Sequence, residues 1–213
     1  MEKVIVFQGD SITDTSRSKD NEMNMGHGYA LMVSGDLGAA EPGKYVFYNR
    51  GISGNRVVDT YARIKAGAIN LNPDYLSILI GVNDVWHEYN SKNGVSTEKY
   101  EMVYGLLIEE LKRALPNLKI MILEPFVLPG SATVSTEERP DRWEYMDREV
   151  RDHAAAAKRV AEKYGLTFVP LQELFDSVDA ETPGIWTWDG VHPTPAGHAL
   201  IKRQWLEAFY SIR

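Results

Sequence analysis

The 213-residue sequence predicts an α/β fold in which a parallel sheet carries helices on both faces. Two patterns support this. Short, continuous apolar runs rich in β-branched residues read as strands buried on both sides. Amphipathic segments with apolar positions at helical spacing alternate with them.

In chain order, Lys3–Gln8 is the first strand, because Val4, Ile5, Val6 and Phe7 form an unbroken apolar run that stops at Gly9. Lys44–Asn49 and Tyr75–Ile80 are the second and third strands on the same grounds. A helix follows over Glu98–Leu115, where Val103, Leu107 and Leu111 share a face and Ser96 or Thr97 supplies the N-cap. Lys119–Leu123 is the fourth strand. The stretch from Pro125 to Pro140 is longer than an ordinary connection and reads as a surface loop near the site or an oligomer contact. In Trp143–Tyr164, Met146, Val150, Ala154, Ala157, Val160 and Ala161 recur at helical spacing, and Gly165 is the stop signal. Thr167–Val169 is the fifth strand. Thr194-Pro195 opens a last helix carrying Leu200, Ile201, Trp205, Leu206 and Phe209. With no internal repeat, low-complexity tract or linker, residues 1–213 are expected to form a single domain.

Composition narrows the function classes. Hydrophobic residues make up 44% and charged residues 25%, the ordinary balance of a globular α/β chain. No apolar stretch approaches the roughly 20 residues of a membrane span. Met1-Glu2-Lys3 leads directly into a strand rather than a secretory leader, so a cytoplasmic location is expected. The absence of cysteine excludes disulfides, thiolate catalysis and cysteine-ligated metal. A net charge of −7 argues against nucleic acid or an anionic membrane as partner, since both are polyanions.

The chemistry-bearing residues gather at strand ends, where open α/β sheets bind their ligands. Ser11, Gly51 and Asn83 each follow one of the first three strands. Asp189 and His192, in Trp188-Asp189-Gly190-Val191-His192-Pro193, lie on a loop just before the last helix. A hydroxyl, an imidazole that takes its proton and a carboxylate that orients the imidazole are the groups acyl transfer by serine requires. Ser11 is the candidate nucleophile, although Gly-Asp-Ser taken alone also fits a helix-capping serine. His192 is the candidate base. Asp189 either orients it or forms an Asx turn before Gly190, and the two roles are compatible. The Ser11 and Gly51 N–H groups and the Asn83 amide are the candidate oxyanion donors. Thr13 stands where a Gly-x-Ser-x-Gly elbow needs glycine, which disfavours an α/β-hydrolase proper. His27 and His87 are expected toward the cleft, and His153 and His198 on helix surfaces or core edges. Metal catalysis through Asp10, Asp84, Asp189 and His192 is the chemical competitor, but no closely spaced His/Asp pair stands near the N-terminus, so no metal is expected.

These blocks resemble those of the SGNH hydrolases, also called the GDSL lipase/esterase family: Gly9-Asp10-Ser11, Gly51, Gly81-x-Asn83-Asp84 and Asp189-x-x-His192, in that order. Within the family, the strings Gly9–Asp14, Gly51–Asn55, Gly81–Trp86 and Trp188-Asp189 are most similar to those of intracellular acetylxylan esterases. The resemblance implies a three-layer α/β/α sandwich around a five-stranded parallel sheet, flavodoxin-like in layout, with no metal or other cofactor. It also implies frequent homo-oligomers.

For the substrate, Trp86 and Trp188 flank the motifs and either cover a sugar ring or bury apolar area. Arg56 either hydrogen-bonds sugar hydroxyls or pairs with Asp10, Asp14 or Asp59. Asp10, Arg56, Trp86 and Trp188 are the candidate substrate contacts. The expectation is a serine carboxylic-ester hydrolase acting on a small acetylated carbohydrate. Its rivals are a lysophospholipase or acyl-thioesterase with the same triad, marked by an apolar tunnel under residues 125–140, and a non-catalytic carbohydrate-binding protein.

Overall fold

In a computed structural model that describes residues 2–213, five parallel strands lie in the order β2-β1-β3-β4-β5. They are β1 (Lys3–Gly9), β2 (Tyr45–Asn49), β3 (Tyr75–Leu79), β4 (Lys119–Leu123) and β5 (Thr167–Val169), within a residue or two of the runs read from the sequence. Side chains alternate between the two faces. Ile5, Phe7, Met121 and Leu123 join one core, while Val6, Leu76, Ile78, Ile120 and Ile122 join the other. Helices α2 (Tyr29–Ala40), α8 (Gln172–Glu181) and α9 (Pro195–Ile212) pack on the first face, with Phe175, Trp205 and Phe209 fully buried. Helices α3 (Val57–Ala62), α4 (Ile64–Gly67) and α6 (Thr97–Ala114), with the C-terminal half of α7 (Arg142–Tyr164), cover the second. The result is the expected three-layer α/β/α arrangement around a five-stranded parallel sheet.

Local chemistry accounts for the helix ends. Ser96 accepts from the Lys99 N–H and caps α6, Thr194 accepts from the Gly197 N–H ahead of Pro195, and Gly165 ends α7 in the left-handed region. The stretch from Pro125 to Pro140 is irregular, yet it is more than a surface loop. Phe126, Val127 and Leu128 are buried in the first core. The chain order turns at β1, which has β2 on one side and β3 on the other. That switch point is where a doubly wound sheet opens a crevice. A short helix α1 (Ser11–Asp14) after β1, the Gly51–Asn55 turn after β2 and helix α5 (Val82–Ser91) after β3 converge there.

Candidate active site

Gly9 makes the turn out of β1 possible, since a Cβ there would lie 2.5 Å from the Leu79 carbonyl oxygen. Asp10 caps α1 by accepting from the Ile12 N–H at 2.9 Å, which sets Ser11 on the first position of that helix. The Ser11 Oγ lies 2.9 Å from His192 Nε2. His192 Nδ1 donates to Asp189 Oδ2 at 2.7 Å. The second oxygen of Asp189 accepts the Val191 and His192 N–H groups at 2.9 and 2.8 Å, so the Asx turn and the orienting contact coexist in one carboxylate. The 125–140 segment braces this loop. Leu128 N–H donates to the Gly190 carbonyl and Ala132 N–H to that of Asp189, each within 2.9 Å. Gly130 packs so closely that a Cβ would lie 2.2 Å from the Asp189 carbonyl carbon.

The donors opposite this chain differ in one respect from the sequence expectation. The Gly51 N–H is already committed to Asn49 Oδ1 at 2.9 Å, and the residue is buried against the backbone of Thr13 and Asp14. It is not free to hold an oxyanion. Along the same turn Ile52 N–H donates to the Gly9 carbonyl, Ser53 N–H to Asp14 and Asn55 N–H to the Ile52 carbonyl. Gly54 is exposed, has a φ of +81° and an N–H with no acceptor among the described residues. The Asn83 amide donates to the Asn55 carbonyl at 3.2 Å, which leaves its second N–H unused. The Ser11 N–H is likewise unused. The free donors are therefore those of Ser11, Gly54 and Asn83. Gly51-Ile52-Ser53-Gly54 offers two glycines, and the hydrogen bond from the Gly51 N–H to Asn49 separates them.

Of the candidate substrate contacts, Trp188 is 71% exposed and lines a cavity of about 400 Å³ that includes Ser11 and His192. Trp86 is half-buried against the first core. Arg56 is spent on structure: its guanidinium donates to Asp59 through Nε and Nη2 and to Asn93 through Nη1, and not to Asp10 or Asp14. Asp10 is 1% exposed and out of a ligand's reach, because its cap on α1 turns it inward. Among the other histidines, His27 lines the cavity and His87 Nε2 donates to the Gly54 carbonyl. His153 and His198, expected at helix surfaces or core edges, are both buried because their helix faces pack on neighbouring elements, and His198 lines the cavity too.

Arg63 and Asn49, which a linear reading misses, and Asp14 and Asp84, whose structural role it misses, tie the strand ends together. Arg63 donates to Asn55 Oδ1 and to the Arg50 and Gly9 carbonyls, joining the turns after β1 and β2. Asn49 donates to the Thr13 and Met25 carbonyls, and Asp14 accepts both the N–H and the hydroxyl of Ser53. Asp84, fully buried, accepts the Val57 N–H at the start of α3. Their signal is only that polar residues fall next to the motifs.

The electrostatics suit proton transfer. Burial pushes Asp189 upward, but hydrogen bonds from the His192 ring and from the His192 and Val191 N–H groups outweigh it and hold the carboxyl at about 2. The hydrogen bond that His192 donates to Asp189 raises His192 above its ordinary 6.5, against a smaller opposing effect of burial. Burial raises Asp10 to about 7, opposed by the Ile12 N–H and by nearby His192. Among the described residues no three His, Cys, Asp or Glu side chains gather as a metal-binding group, and no helix is long and apolar enough to cross a membrane.

Residues 7–200 match the family model described as GDSL-like lipase/acylhydrolase. The acetylxylan esterase of Geobacillus stearothermophilus is 34% identical over 213 residues, covering 95% of this chain and 91% of that protein. Its crystal structure superposes with a TM-score of 0.82 at 33% identity, over 97% of this chain and 93% of that one. A GDSL-like lipase structure from Parabacteroides merdae superposes with a TM-score of 0.88 at 34% identity, over 98% of this chain and 96% of that one.

Proposed function

Because the chain belongs to the GDSL-like lipase/acylhydrolase family, and is a carboxylic-ester hydrolase, we propose that Ser11, His192 and Asp189 carry its reaction and that the ester is an O-acetyl group on a xylo-oligosaccharide. The observation that supports the site most directly is the continuous chain Asp189–His192–Ser11, with links of 2.7 and 2.9 Å, at the switch point of the sheet.

In this reading His192 Nε2 takes the Ser11 proton as Oγ attacks the acetyl carbonyl, and Asp189 stabilises the imidazolium. The oxyanion is held by the N–H groups of Ser11 and Gly54 and by the Asn83 amide. His192 then protonates the departing sugar oxygen. Water, deprotonated by the same imidazole, releases acetate and restores Ser11. Trp188, exposed at the cavity mouth, offers a flat face to a sugar ring. The substrate is supported by the activity that names the Geobacillus relative, and by a cavity wall in which Ser11, Thr15, Ser16, His27 and Ser53 stand among Ile12, Trp188, Pro193 and Pro195. Residues 126–128 fill their own core instead of roofing a tunnel, which weighs against long acyl chains. A cytoplasmic location and self-association complete the proposal.

The test is hydrolysis of nitrophenyl esters of two to ten acyl carbons beside acetate release from acetylated xylo-oligosaccharides. The expected result is a steep preference for acetate and release of acetate from the sugar. A preference for long chains moves the function to lipid or thioester hydrolysis.

A further inference from the structure

His198 has no place in the triad, yet it lines the same cavity as Ser11 and His192 while being only 6% exposed. Its ring is fixed in orientation and in tautomer. The Tyr29 backbone N–H lies 3.2 Å from Nδ1. A backbone N–H can only donate, so Nδ1 carries the lone pair and the neutral ring carries its proton on Nε2. The ring stacks with Tyr29 at a centroid distance of 6.4 Å. Gly28 makes room for it, since a Cβ there would stand 2.7 Å from Cε1 and 2.9 Å from Nδ1. With Nδ1 and Cε1 turned toward residues 28 and 29, Nε2–H is the polar group left for the cavity. It has no acceptor among the described residues. Burial, with the neighbouring His192 as the lesser cause, lowers His198 to about 4, so the ring is neutral wherever His192 is a base.

Ser11 and His192 line the cavity, and so does Ser53, next to Gly54 on the oxyanion turn. It therefore reaches from that turn across the nucleophile to the His192 flank. The leaving alcohol belongs on that flank, because His192 must hand its proton to the leaving oxygen. Thr15 and Ser16 form another part of the wall and hold left-handed backbone at φ 42° and 58°. The His27 N–H pins that segment by donating to the Thr15 carbonyl at 3.1 Å and to its hydroxyl at 3.0 Å. Non-glycine residues keep such strain only where their surroundings fix them, and functional sites are where it collects.

We propose that His198 binds the alcohol part of the ester, its Nε2–H donating to a hydroxyl or ring oxygen of the sugar next to the acetylated carbon. The proposal rests on the sugar-ester reading above. It makes His198 a specificity residue that discriminates an alcohol bearing oxygens from one without them.

The test is kcat/KM of wild type and His198→Asn on acetylated xylobiose and on nitrophenyl acetate. Asparagine retains an oxygen to accept the Tyr29 N–H but no group long enough to reach the sugar. The expected result is a loss of about tenfold on the sugar ester, mostly in KM, with nitrophenyl acetate changed by less than about twofold. Gly28→Ala, whose Cβ would crowd both the His198 ring and the Thr15 methyl at 2.7 Å, should show the same selective loss and decides the matter if His198→Asn does not fold. Equal losses on both substrates, or none on either, overturn the proposal and leave the sugar reading intact. A wild-type enzyme inactive on the sugar ester overturns both.

Discussion

Replacing Asp189 with asparagine separates two things the carboxylate does. The first is electrostatic. A carboxyl at about 2, against an ordinary 3.8, corresponds to about 2 kcal/mol of preference for its charged, hydrogen-bonded form. The side chain is 27% exposed, so solvent screening lowers the useful part to about 1 kcal/mol. Part of that preference comes from the Val191 and His192 N–H groups, so loss of charge alone costs at most about 5- to 30-fold in kcat/KM. The second is the tautomer. Oδ1 already accepts two backbone N–H groups, from Val191 and His192. In Asp189→Asn those donors hold the amide oxygen, and the NH₂ must face His192 Nδ1. Nδ1 then accepts, the proton moves to Nε2, and the imidazole points a donor at Ser11 where a base is needed. The expected total loss is on the order of 10⁴, the loss in kcat that the same replacement produces in serine proteases. The assay is kcat/KM for nitrophenyl acetate from pH 5 to 9. Because the Asp189 hydrogen bond is the largest cause raising His192, residual activity should retain its acid limb at lower pH than wild type. A loss below about 30-fold with an unmoved limb refutes the tautomer argument.

Asn83→Ala should lower kcat by about 10²–10³ with little change in KM, as one lost oxyanion donor does, measured by steady-state kinetics on the acetyl ester. Gly130→Ala forces a methyl group into the Asp189 backbone and should reduce kcat far more than melting temperature, because it displaces the loop that carries Asp189 and His192. Asp10→Asn should stabilise the fold at pH 8 but not at pH 4. The folded carboxyl at about 7 lies above its unfolded 3.8, so native stability is present at low pH and lost as pH rises through that window. The gain, read by thermal melts at both pH values, is bounded at on the order of 4 kcal/mol. An equal change at the two pH values contradicts it.

The sheet was readable from the sequence because each strand is a short apolar run buried on both faces. The long helices α6, α7 and α9 were readable because their apolar residues keep a helical period and their caps are Ser96, Gly165 and Thr194. Helices α3 and α5 were not. Val57-Val58 at the start of α3 reads as strand by propensity, and the helix forms because Asp59 accepts the Arg56 N–H and Asp84, from another element, accepts the Val57 N–H. The order of Ser11, Asn83, Asp189 and His192 along the chain pointed to the site, since the first two follow strand ends and the last two share a short motif just before the last helix. Gly54 lay beyond that reading, because the choice between Gly51 and Gly54 depends on how the Asn49 side chain, held by the Thr13 and Met25 carbonyls, takes up the Gly51 N–H. Arg63 was hidden for a similar reason: its partners at positions 9 and 50 are brought to it only by the sheet.

The central claim is that Ser11 is an activated nucleophile, and intact-mass analysis after treatment with a fluorophosphonate tests it most directly. Wild type should gain a single phosphonyl group, mapped to Ser11, and lose esterase activity in step with labelling, while Ser11→Ala should stay unmodified and inactive. Labelling at another residue, or esterase activity retained in Ser11→Ala, contradicts the account.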